Sequence, residues 1–178
     1  MKNARLSRFG FALVTALFLA SCSSGVTKRE AHVAYRYDGQ TFKKVVVRLS
    51  DELAADPEKA YRFQELRLEQ SIENRLKANR LYDEQASNVV EIVIKDFRIR
   101  SGLNAQLFGF MAGSDNIEGI VTLKTAEGTV FNEFAVSASY ALGGRAGGQD
   151  YTRIGYLSSE FGKLTVQTIV DKQDKPAR

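Results

Sequence analysis

Apolar and polar positions fall along this chain in blocks, and each block predicts an element. Lys2, Arg5 and Arg8 precede an uncharged, mostly apolar run from Phe9 to Ala20. That is the layout of a secretory signal peptide, too short to cross a bilayer as a helix. From Thr41 to Leu49 the centre Val45-Val46-Val47 is unbroken. It predicts a strand buried on both faces, as inside a sheet. Asp56-Pro57 then opens a helix to about Asn79: Asp56 can cap the free amides, Pro57 suits the first position, and Glu58 complements the dipole. At about 100° per residue Tyr61, Leu68, Ile72 and Leu76 share one stripe, assigned to the core. Phe63, Leu66 and Leu81 lie opposite and are expected to pack under a loop, the alternative being a contact surface.

Alternation takes over from Val89 to Ile99, with Val90, Ile92 and Ile94 on one face. Phe97 and Ile99 are out of phase with them, which predicts a bulge near Lys95-Asp96. Ile117, Val121 and Leu123 share a face in the next strand, and Phe134, Val136, Ala138 and Tyr140 in the one from Val130 to Tyr140. Ala126-Glu127-Gly128-Thr129 between them reads as a tight hairpin. After Gly143-Gly144-Arg145-Ala146-Gly147-Gly148, Asp150 caps a last helix that turns Ile154, Leu157, Phe161, Leu164 and Thr168 to the core. The order predicts an α+β fold, a β-α-β-β-β-α two-layer sandwich whose mostly antiparallel sheet has its helices on one face.

Four segments follow: a leader over 1–21, a tether over 22–40, one periplasmic domain over 41–173 and a polar tail over 174–178. Leu19-Ala20-Ser21-Cys22 holds the chain's single cysteine. The small residues before it resemble the lipobox of bacterial lipoproteins. The resemblance implies cleavage between Ser21 and Cys22 and acylation of Cys22. A lone cysteine in an oxidising compartment is otherwise hard to explain. Each buried methylene contributes about 0.8 kcal/mol, so three acyl chains would hold the protein on the membrane. Ser23 follows the cysteine where an aspartate would signal retention in the inner membrane, so the expected place is the outer membrane.

Charge adds an exclusion. The formal net charge is +4, but three of the 25 basic residues lie in the leader, leaving 22 against 21 acids. A nucleic-acid partner, which needs a basic excess on one surface, is not expected. The sequence after residue 21 is long enough for one domain with a real core.

Taken together, the lipobox, the strand Val89 to Phe97, the hairpin through Glu127-Gly128 and the glycine-rich loop before a closing amphipathic helix resemble a family of small bacterial lipoproteins catalogued as a domain of unknown function. The order is also similar to that of envelope accessory lipoproteins and of the amino-terminal domain of TolB-type translocation proteins. The resemblance implies fold and location and carries no catalytic residue.

Chemistry is sparse. One histidine, His32, and an acylated cysteine give no zinc or copper site, and no acidic spacing matches a calcium loop, so neither metal nor cofactor is expected. Nucleophilic catalysis would rest on His32 alone, in the tether. Glu91 with Asp96 and Asp115 with Glu118 are the carboxylate pairs that could hydrolyse a glycan, but basic neighbours such as Lys95 and Arg98 favour surface ion pairs. The loop 143–148 lacks the end of a phosphate-binding loop.

The strongest lead is the long connection from Ser101 to Asn116, where apolar residues including Leu107, Phe108, Phe110 and Met111 are interrupted by Gly102, Gly109 and Gly113. Apolar groups on a long loop need a cover, so either the loop folds back over the sheet or it meets a partner protein or the lipid surface; these four are the candidate partner contact. The expected function is a non-enzymatic accessory or adaptor lipoprotein with an envelope protein as partner. The alternative is a binding module for a small lipid or glycan, in a cavity lined by Tyr61, Ile72, Phe134 and Tyr140. A carboxylate hydrolase is a third reading.

Overall fold

The computed structural model describes residues 24–28, 35–101, 113–141 and 149–170. Five strands form one sheet: β1 (Gly25–Lys28), β2 (Phe42–Leu49), β3 (Asn88–Arg98), β4 (Asp115–Lys124) and β5 (Val130–Tyr140), in the spatial order β1-β5-β4-β3-β2. β2 and β3 are parallel, and every other neighbouring pair is antiparallel. Four helices are found among the described residues: α1 (Asp51–Ala54), α2 (Pro57–Arg62), α3 (Glu65–Ala78) and α4 (Asp150–Val170). The class is α+β with a mostly antiparallel sheet, as the sequence predicts.

The core lies between the sheet and the pair α3 and α4. Val90, Ile92, Ile94, Ile117, Val121, Leu123, Phe134 and Val136 face Leu68, Ile72, Leu157 and Phe161, all buried. Strand alternation and helical periodicity each put one apolar face toward this layer. The expected bulge is present as a register shift between Ile94 and Asp96. It returns Phe97 and Ile99 to the buried face. In the hairpin Gly128 takes a φ of 85°, which suits a residue without Cβ.

Three features differ from expectation. The predicted long helix is broken at Phe63, whose ψ of 135° is extended, and a short helix, α1, precedes it. Phe63 turns inward and meets Phe97 edge-on at 5.2 Å, so a tertiary contact outweighs helix continuation. Tyr61, assigned to the core stripe, is consequently 90% exposed, and Leu66 is exposed as well, whereas Leu81 is buried. β2 is an edge strand, not an inner one. Val45 and Val47 are buried, while Val46 on the other face is only partly covered. The outward amide of Val47 donates to the Glu69 carboxylate at 3.0 Å, and Lys43, Lys44 and Arg48 are exposed along the strand. Helix cover and lysines are two ordinary protections of an edge. Finally, part of the expected tether is ordered: Gly25–Lys28 pairs with β5 and closes the opposite edge of the sheet.

Candidate functional site

One end of the sheet brings together two buried arginines and a buried aspartate. There β3 and β5 end, β4 begins, and α4 starts. Asp115 is the first residue of β4 and lies in phase with Ile117, so its side chain points into the core layer, where it is fully buried. Arg153 is on the core stripe of α4 with Leu157 and Phe161 and is also fully buried. Arg100, just past β3, retains 4% of its exposure.

These groups answer one another. The amide of Arg100 donates to Asp115 Oδ1 at 2.7 Å, and its guanidinium donates to both carboxylate oxygens at 3.2 Å. Arg153 Nη1 donates to both oxygens at 2.9 Å. Arg153 Nη2 reaches the Arg100 carbonyl at 2.8 Å and Asp150 Oδ1 at 2.6 Å. Asp150 Oδ2 accepts from Arg62 Nη2 at 2.7 Å, and Arg62 Nη1 donates to the Ile99 carbonyl at 3.3 Å. Arg100 also holds the carbonyls of Gly113, at 2.8 Å, and Tyr140, at 3.3 Å. Three guanidinium groups and two carboxylates therefore join β3, β4, β5, α2 and α4, with one net positive charge.

Burying an ion costs several kcal/mol unless pairing and hydrogen bonds offset it. Here they do so at every oxygen, although Arg153 Nε has no partner. Burial works against ionisation of Asp150, but hydrogen bonds and charge from Arg153 and then Arg62 outweigh it and hold the carboxyl below its ordinary range. Guanidinium groups do not exchange protons near neutral pH. The arrangement can fasten the ends of the connections 102–112 and 142–148; as a proton-transfer or nucleophilic site it has no free group.

The residues singled out from the sequence meet different fates. Cys22 and Ser21, the four residues Leu107, Phe108, Phe110 and Met111, His32 and the loop 143–148 lie outside the described residues. Glu91 is paired with Arg48 and Lys124. Asp96 accepts from Asn116 at 2.8 Å and lies 3.6 Å from Lys59. Asp115 and Glu118 do not form a pair, since one points into the core and the other is exposed on the opposite face. Nor do Tyr61, Ile72, Phe134 and Tyr140 line a common cavity: Ile72 and Phe134 are packed in the core and Tyr61 is in solvent. A cleft of about 440 Å³ lies instead on the face of the sheet opposite α3 and α4, among Thr27, Lys95, Glu118, Ile120, Ala135 and Ser137. Asp150, expected as a cap, is the first helical residue and serves the ion-pair network instead.

Sequence reasoning passed over Arg153 and Arg100. The signal available was phase: Asp115 alternates with Ile117, and Arg153 shares a helical stripe with Leu157 and Phe161.

Comparisons with known proteins bear on the fold. The profile of a family described as "Domain of unknown function (DUF4410)" matches residues 34–144. No curated protein matches. Among solved structures, the PelC dodecamer from Paraburkholderia phytofirmans is similar at 12% identity and a TM-score of 0.51, covering 85% of this chain and 100% of that one. A single-substitution variant of the same dodecamer gives 11% identity and a TM-score of 0.52, with 83% and 98% covered. At that identity the likeness is one of fold.

Proposed function

The chain belongs to the DUF4410 family of domains of unknown function, and from that premise we propose that it is a non-enzymatic lipoprotein of the envelope. Acylated Cys22 holds it on the periplasmic face of the outer membrane, where it acts as an accessory or adaptor in an assembly that includes further copies of itself. The observation that carries the reading is that three of the four acids singled out for catalytic use are held by structural partners: Asp115 by Arg100 and Arg153, Glu91 by Arg48 and Lys124, and Asp96 by Asn116 and Lys59. The similarity to PelC, a protein crystallised as a dodecamer, supports self-assembly. Leu107, Phe108, Phe110 and Met111 are the proposed contact with a protein embedded in the same membrane. A second reading, binding of a small lipid or glycan, is favoured by the 440 Å³ cleft on the sheet face opposite α3 and α4.

A photoreactive residue at Phe108, activated in living cells, tests the adaptor reading together with the mass of the detergent-extracted particle. A multimeric particle and capture of one dominant envelope protein are expected. A monomer that captures no protein contradicts it, and a thermal shift with glycan or lipid fragments would then favour the second reading.

A further inference from the structure

The path of β1 fixes more than the sheet edge. Gly25 pairs with Ser137, Lys28 with Phe134, and the hydroxyl of Ser24 accepts from the amide of Ser139 at 3.0 Å. The chain is therefore fastened to β5 from Ser24 onward. Because β1 runs antiparallel to β5, its start lies toward Tyr140, at the end of the sheet that holds the Arg100–Asp115–Arg153 cluster. Cys22 is two residues before Ser24, and two extended residues reach about 7 Å. An acyl group on Cys22 cannot then hang from a long tether; it must enter the bilayer beside this end of the domain.

The same end carries four of the five exposed large hydrophobic residues among those described. Tyr61, Leu66, Tyr151 and Tyr156 are 90%, 65%, 67% and 46% exposed, and among the described residues only Val130 joins them as an exposed large hydrophobic. Tyr61 precedes Arg62, which bonds to Asp150 and Ile99 at the cluster. Leu66 precedes Arg67, whose guanidinium sits 3.9 Å over the Tyr151 ring. Tyr156 lies against Tyr140, ring centroids 4.7 Å apart. Val130 opens β5, and ten residue steps of about 3.4 Å put it roughly 30 Å from Tyr140.

We infer that this end is a lipid-facing surface, with Tyr61, Leu66, Tyr151 and Tyr156 in the headgroup zone and the hairpin at Gly128 pointing away from the membrane. Tyrosine suits that zone because its ring is apolar and its hydroxyl stays wet. Arg67 can extend its charge to phosphate while its stem stays on apolar surface. The inference rests on the acylation of Cys22 proposed above, and deepens it from attachment to orientation.

The chain contains no tryptophan, so one introduced tryptophan reports one place. The full acylated protein is placed in vesicles of phosphatidylethanolamine and phosphatidylglycerol with and without brominated acyl chains, carrying Tyr151→Trp, Tyr61→Trp or Val130→Trp. Emission from the first two is expected to shift to the blue and to lose most of its intensity to bromine, while that from Val130→Trp does neither. Tyr61→Trp serves if Tyr151→Trp does not fold. Equal quenching at both ends, or protection of the Tyr151 site only when an envelope protein is added, overturns the orientation. Flotation separates the two claims: a protein that floats with the vesicles but shows no quenching at either tyrosine site is anchored otherwise oriented. A protein extracted from envelopes with no acyl group on Cys22, and therefore left in solution, overturns both.

Discussion

Asp115 accepts five hydrogen bonds from two arginines in a place that water does not reach. Removing one partner leaves a buried charge short of compensation. Arg153→Met is therefore expected to destabilise the fold by about 3–5 kcal/mol in urea unfolding. Pairing it with Asp115→Asn should cost less than the sum of the two single changes, because the groups share one network. Asp150 belongs to the same network with a sign of its own. Its folded pKa is depressed, so its contribution is present above the ordinary value of 3.8 and is lost as pH falls through the lower folded value. Since the side chain is 47% exposed, solvent screening keeps the effect small. Asp150→Asn should be less stable than the parent at neutral pH and should decline less between about pH 5 and pH 3. An equal decline in both proteins would remove Asp150 from the acid response. Of this cluster the sequence displayed only phase. Nothing local distinguishes an inward Asp115 from a solvated strand end, because its partners Arg100 and Arg153 come from elsewhere in the chain.

Elements meet through small residues. α3 lies against α4 where Gly155 and Gly162 leave room, and the Ser71 hydroxyl donates to the Ser158 carbonyl at 3.0 Å. Under α4, Gly119 of β4 receives Phe161: a Cβ there would come 3.2 Å from that ring, 3.2 Å from the Val93 carbonyl and 3.0 Å from Ile94 Cδ1. Neither backbone nor core ring can yield cheaply. Gly119→Ala is expected to cost about 1–3 kcal/mol of unfolding free energy. In Gly155→Ala the new methyl would meet only the far end of the long Arg67 side chain, which would have to shift from its place over the Tyr151 ring. A helical Gly-to-Ala change gains up to about 1 kcal/mol, so this variant should be neutral or more stable. Thermal unfolding of both variants checks the contrast. At this scale periodicity reported well on β3, β4, β5, the hairpin and α4, whose faces are continuous. It misread the stretch from Asp56 to Asn79, since the break at Phe63 is made by Phe97, far along the chain. It also misread β2, where a run of valines looks the same at an edge as in the interior.

Across the whole molecule the two ends of the sheet differ. One holds the arginine cluster, the start of β1 and the exposed tyrosines; the other holds the hairpin and the far ends of α3 and α4. No helix among the described residues is long and apolar enough to cross a membrane. The proposed attachment is through Cys22, and the proposed orientation rests on it. The sequence pointed to that residue through a short pattern, but could not indicate how near it lies to the folded domain, because pairing between Gly25 and Ser137 leaves no periodic trace in four residues. The most direct test is the intact mass of the protein extracted in detergent from bacterial envelopes, followed by sequencing of its first peptide. The account predicts a chain that begins at Cys22 and carries the added mass of a diacylglyceryl group and an amide-linked acyl chain. A chain that begins elsewhere, or a Cys22 of unmodified mass, would contradict it.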